Sequence, residues 1–219
     1  MTLRAGLRWI IGAVLVLVFA ARYFPALLVF PYHAQAGALE VWSETPIDQA
    51  RLDAVVADST RLLAASPLYR APERRKVFLT QHSWRWTWLT LNQRGAFAIS
   101  PPLTGSIIVN SSSISGNVVG NGRAIGGLRS LSGIIAHETC HEMERRHFGL
   151  TSDWLKPVWL REGYCDYVAQ ESSLSEADYT QLVASHADHP ALPYYIGRKR
   201  VAAELTANGG NVDALFAAY

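Results

Sequence analysis

The residue types and spacing that could do chemistry are concentrated in one pentapeptide, His137-Glu138-Thr139-Cys140-His141. Histidines at i and i+4 on a helix project from one face, about 6 Å apart along the axis. That separation lets both imidazoles reach one tetrahedral Zn²⁺. Glu138 lies about 100° round the helix from His137. Its carboxylate therefore stands beside the ion rather than on it, placed to take a proton from a water that the ion has acidified. The apolar residues Leu131, Ile134, Ile135 and Ala136 precede the pentapeptide and read as the buried face of the same helix.

A catalytic zinc site needs a third protein ligand, and the chain offers two main candidates. Glu162 lies in Trp159-Leu160-Arg161-Glu162-Gly163, about twenty residues beyond His141. This segment resembles the gluzincin metallopeptidases, in particular their membrane aminopeptidase branch, where a W-L-x-E-G segment on a second helix supplies a glutamate ligand. The resemblance implies that Glu162 completes the set with His137 and His141. The spacing allows the first helix to end near Gly149 and a second helix to return against it. Asp166, one turn after Glu162 and on the same face, is then expected to accept a hydrogen bond from the distal nitrogen of His137 and fix its tautomer. The rival, His147, has the spacing of a metzincin third ligand. That pattern needs a glycine where this chain has Glu144, followed by the helix formers Arg145 and Arg146. A continuing helix turns His147 away, towards its own C-terminal carbonyls. Cys165 is a remoter ligand candidate.

A second foothold is Tyr194-Tyr195-Ile196-Gly197, which looks like the Y-x-x-G helix start of the same branch. It implies that Tyr194 donates to a developing oxyanion, with Tyr195, His186 and His189 as substitutes. The sequence also departs from that branch. Its G-x-M-E-N segment carries a glutamate that grips the substrate amine, whereas Gly95-Ala96-Phe97-Ala98-Ile99 carries no acid. Aminopeptidase specificity is not carried over. The resemblance covers residues 130–207. It implies zinc-dependent hydrolysis of peptide or protein substrates, with a zincin-like helical C-terminal part. Two further readings use the same residues: a zinc hydrolase of a non-protein amide such as a cell-wall component, and a non-catalytic binding module stapled by zinc.

The elements that must position these groups read as α+β, with a small, mostly antiparallel sheet followed by helices. Residues 45–65 predict a helix begun by Thr45 and Pro46, with Leu52, Val55, Val56, Leu62 and Leu63 on its buried stripe. Residues 76–80, 97–100 and 106–110 read as strands. So does 83–91, where Trp84, Trp86 and Trp88 alternate at period two as a core face. Residues 106–112 precede the HETCH helix as the edge strand does in these peptidases, which implies backbone pairing with a peptide. Residues 111–127 read as a Ser/Gly/Asn-rich loop. From Leu128 onward the pattern is helical, broken near Gly149, Pro157, Pro190, Pro193 and Gly209-Gly210. Cys140 and Cys165 fall on helices expected to face each other, and a disulfide and two buried thiols are both open. Arg198 begins a basic run that reads as a solvated face, with carboxylate binding as its functional alternative.

Residues 1–30 read as a signal anchor or a cleavable signal: Arg4 and Arg8 lead into an apolar run at 9–21. Either way the rest is placed outside the cytoplasm, because basic residues hold the N-terminus inside. Val18-Phe19-Ala20 and Ala34-Gln35-Ala36 are the small-x-small cleavage candidates. Residues 31–44 read as an extended linker ending in a strand, and 45–219 as one domain. Composition sets the outer bounds. At 219 residues, 49% hydrophobic and 17% charged, the chain can bury a sizeable core. A formal net charge of +2 argues against a dedicated nucleic-acid binder, and two cysteines rule out a disulfide scaffold. Composition says nothing of oligomeric state.

Overall fold

A computed structural model describes residues 3–72, 74–102 and 104–219, without the side chains of 3–8, 10, 15, 17, 18 and 153. The apolar N-terminal run is helix α1 (Leu3–Tyr23), on which Trp9, Ile11, Val16 and Phe19 are exposed. Arg4 and Arg8, which carry the orientation argument, lie outside the described side chains. Among the described residues no helix is long and apolar enough to cross a membrane. The end of α1 is tied to the domain, with Arg22 donating to the Leu89 carbonyl at 2.7 Å.

The segment expected as a linker is a hairpin: β1 (Tyr32–Ala36) and β2 (Leu39–Ser43) pair antiparallel. Its turn is at Gly37, whose φ of +55° favours a residue without Cβ. Helix α2 (Gln49–Ala64) starts later than expected. Asp48 rather than Thr45 caps it, accepting the Arg51 amide at 3.1 Å, while the Thr45 amide is held by the Ser43 hydroxyl. The predicted stripe of Leu52, Val55, Val56, Leu62 and Leu63 is buried. β3 (Arg75–Leu79) follows.

The Trp-rich segment is not a strand. It is helix α3 (Trp84–Thr90), opened by Ser83, whose hydroxyl accepts the Arg85 amide at 3.1 Å. Its buried residues, Trp86, Leu89 and Thr90, have helical spacing, and Trp84 is exposed. The cap and this packing override the β preference of the tryptophans, which depends on context. After β4 (Ala98–Ile99) and β5 (Ser106–Val109), the stretch expected as a loop supplies β6 (Ser111–Ser113) and β7 (Val118–Gly120). Buried Ile114 and Val119 draw it onto the core. β8 (Leu128–Ser130) stands where a helix was expected to begin. The helices are then α4 (Leu131–Phe148), α5 (Ser152–Leu155), α6 (Val158–Val168), α7 (Glu176–Ala184), α8 (Leu192–Ala207) and α9 (Val212–Ala217).

The architecture is α+β. The larger sheet has the order β1-β2-β3-β5-β4 and is mixed rather than mostly antiparallel, because β2–β3 and β3–β5 are parallel. The α2 crossover between β2 and β3 imposes the first parallel pair. The smaller sheet, β6-β7-β8, is antiparallel. β5 is therefore interior, and the edge beyond it is β4. One face of the larger sheet buries Val41, Val77, Ile107 and Val109 against α2 and α4. The other buries Phe78 and Ile108 against Trp86, Leu89 and Phe30. A second core joins α4 to α6, α8 and α9 through Cys140, Met143, Leu160, Tyr164, Val201 and Phe216. Each such side chain, fully buried, stabilises the fold by about 1.5–3 kcal/mol.

Candidate metal centre

The start of α4 is fixed at several points. Ser130 caps it by accepting the Gly133 amide at 3.0 Å, and Glu171 accepts from the Ser130 amide at 3.2 Å and hydroxyl at 2.9 Å. On the α2 side, the Ser132 hydroxyl donates to Asp58 at 2.7 Å. Held in this rotation, α4 buries Ile134, Ile135 and Ala136 and turns His137, Glu138 and His141 towards a cleft. Helix α6, begun after Pro157, packs on α4 and presents Glu162 from its second turn. Helix α8 is pressed against α6 at two glycines: a Cβ on Gly163 would lie 2.4 Å from the Gly197 carbonyl carbon, and one on Gly197 would lie 2.5 Å from the Trp159 oxygen. This close crossing brings Tyr194 to the wall of the same cleft.

Three donor atoms converge there. His137 Nε2 and His141 Nε2 are 3.1 Å apart, and each lies 3.3 Å from Glu162 Oε2. Ligands about 2.0–2.1 Å from a tetrahedral ion are separated by roughly 3.3 Å. His137, His141 and Glu162 therefore fit three corners around one divalent cation. The charge pattern fits as well. Burial opposes ionisation of Glu162, but the two imidazoles outweigh it and hold the carboxylate well below its ordinary range. Burial likewise pulls His141 down, while Glu162 and Glu144 outweigh it and raise the imidazole well above its usual value.

The outer faces of both imidazoles meet carboxylates. Asp166, fully buried, places Oδ1 2.8 Å from His137 Nδ1, at ion-pair distance though without a well-aligned N–H···O. Arg129 holds the same oxygen at 2.8 Å and also reaches Glu171 at 3.1 Å. Burial and the Arg129 charge act in opposite directions on Asp166, and its pKa ends below the ordinary value. Glu144, also fully buried, stands 3.4 Å from His141 Nδ1. Arg129 and Glu144 were not among the sequence candidates. Arg129 has no signal at helical spacing, whereas Glu144 could have been found as the i+3 neighbour of His141.

The cleft is about 740 Å³ in volume. Glu138, buried, lines it beside the two histidines, as do Tyr194, Arg161 and residues 95–99 of the β4 edge. Burial and the nearby Glu162 push the Tyr194 phenol up to about 12, so it remains a proton-bearing donor. Its proposed substitutes are placed elsewhere. Tyr195 is buried against α7 and donates to Glu176; His189 Nδ1 accepts the Ala191 amide at 3.2 Å; His186 follows the end of α7. His147 points away as expected, but it pairs with Asp213 of α9 at 2.5 Å rather than with the carbonyls of its own helix. Cys140 and Cys165 are buried and unbridged. Cys165 Sγ lies 3.5 Å from His141 Nδ1, on the side opposite the three converging donors. With Glu144 the two cysteines make a second group at metal-ligand spacing. Arg198 is absent from the cleft lining. No known family model, curated protein or solved structure matches the chain.

Proposed function

We propose that this chain is a zinc-dependent peptidase of gluzincin type that works outside the cytoplasm. One observation carries the proposal: two imidazoles and a carboxylate converge to within 3.3 Å of one another in a cleft that a second carboxylate, Glu138, also lines. His137, His141 and Glu162 would hold the ion, which when bound supplies positive charge to acidify a water and polarise a carbonyl.

The chain's own residues do the rest. Glu138 takes the proton from the attacking water and returns it to the leaving amine. Tyr194 donates its phenolic proton in a hydrogen bond to the oxygen on which charge develops. Asp166 and Glu144 orient the two imidazoles through their Nδ1 atoms. The substrate backbone adds along β4, the edge strand whose Ala98 and Ile99 line the cleft; this role moves here from β5, which is paired on both sides. Residues 95–99 bring no carboxylate to the cleft, so anchoring of a substrate amine forms no part of the proposal. Membrane attachment through α1 does. Its support is the exposed Trp9, Ile11, Val16 and Phe19, which the other described residues leave uncovered.

The test is Glu138→Gln. It should retain bound zinc and lose at least ~10²-fold in peptide hydrolysis. Undiminished hydrolysis by the metal-loaded variant contradicts the assignment of the base. Hydrolysis of peptidoglycan amides but not of denatured protein would move the substrate class to the cell wall.

A further inference from the structure

The apolar surface of α1 does not stop where the helix ends. Trp9, Ile11, Val14, Val16 and Phe19 are exposed along it. At 100° per residue the last four fall about 200°, 140°, 340° and 280° round the helix from Trp9, so no single face holds them. A partner protein or a second copy packs on one face of a helix, whereas lipid surrounds it.

The residues that follow continue this surface. Tyr23, Phe24, Leu27 and Val29 are exposed from the end of α1 through the turn at Pro25–Leu28. Helix α3 is fastened beside that turn: Arg85 donates to the Leu28 carbonyl at 3.0 Å and to the Val29 carbonyl at 2.8 Å. It adds Trp84, exposed under the Arg85 guanidinium, and exposed Leu91 just past its end. Exposed Trp and Tyr beside an apolar helix suit a membrane–water interface, where one end of the ring is apolar and the other wet. The charge agrees. Residues 22–29 and 83–94 contain three arginines and no acid. Arg85 is paired with Glu44, while the guanidinium groups of Arg22 and Arg94 bond only to backbone carbonyls among the described residues. Such cations suit anionic lipid head groups.

This collar also borders the proposed metal centre. Arg22 lines the cleft, as do exposed Asn92 and Gln93 directly after Leu91. We infer that the turn after α1 and the outer side of α3 sit in the lipid interface, so that the mouth of the metal cleft opens at the membrane surface. The inference rests on the proposed attachment of α1 to lipid and is independent of the reaction performed in the cleft.

The experiment places one nitroxide label at a time on the full-length protein, at Phe19→Cys, Leu27→Cys, Leu91→Cys, Gln93→Cys and Ala57→Cys; the native cysteines are buried. Ala57 is exposed on α2, across the larger sheet from α3. In vesicles of mixed zwitterionic and anionic phospholipid, electron paramagnetic resonance reads collisions with oxygen, which concentrates in hydrocarbon, and with a water-soluble nickel chelate. Labels at 19, 27 and 91 should favour oxygen over nickel at least about threefold more than the label at 57, and the label at 93 should fall between. A label at 19 in lipid with those at 27 and 91 matching 57 would overturn the inference and leave α1 attached. All labels matching 57 would remove both. Labels at 27 and 91 shielded from both reagents would mean a protein partner, and a label at 93 matching 57 would move the cleft mouth off the membrane; either overturns the inference.

Discussion

At the scale of single residues, the charges around the two histidines compensate one another. Glu162 faces the imidazole Nε2 atoms, Asp166 and Glu144 face their Nδ1 atoms, and Arg129 neutralises Asp166 from behind. An unpaired buried carboxylate would be costly; here each has a cationic or imidazole neighbour. Asp166→Asn keeps the size of the side chain, removes its charge and leaves Arg129 to Glu171 alone. It should weaken zinc binding about 10- to 100-fold, measured by competition with a chromophoric chelator, while far-ultraviolet circular dichroism stays unchanged. Unaltered zinc affinity would remove Asp166 from the site. The spacing of His137, Glu138 and His141 was legible in the chain because one helix carries all three. Arg129 was not, since its partners Asp166 and Glu171 lie on other elements. Glu144 was read only as the residue that stands where a metzincin needs glycine; its i+3 spacing from His141 was visible, but its burial was not.

At the scale of elements, the site depends on how closely α6 and α8 approach. Gly163 and Gly197 sit at this crossing, and the structure gives both a steric reason. Gly163→Ala places a methyl group 2.4 Å from backbone. The helices must then separate, at a cost of about 1–3 kcal/mol. Thermal melting should register the loss, and a variant as stable as the parent would refute the close crossing. The α2–α4 contact makes a prediction about pH. The Ser132 hydroxyl and Arg61 lower the Asp58 pKa from 3.8. A carboxylate depressed on folding stabilises above its unfolded pKa, and that stabilisation is lost as pH falls through the folded value. Asp58→Asn should therefore cost up to about 1 kcal/mol at neutral pH, and the gap from the parent should close below about pH 4. Denaturant melts at both pH values check this, and a pH-independent gap would contradict it. Elements were legible where one buried face set the period, as in α2 and β3. They were misread where a short cap decided the outcome: Ser83 made a helix of alternating tryptophans, and Gly37 made a hairpin of an apparent linker.

At the scale of the whole molecule, the sheet, the α4 cap and the α4–α6–α8 core form a continuous support for one cleft. The α+β class was legible from strands preceding helices. The parallel register was not, since it is set by crossovers that span α2 and α3. The account rests on a metal held jointly by α4 and α6, and zinc stoichiometry of the full chain tests that most directly. The parent should carry about one zinc per chain, and His141→Ala and Glu162→Ala should each carry almost none while remaining folded. A parent that takes up no zinc, or zinc content unchanged in both variants, would contradict the account.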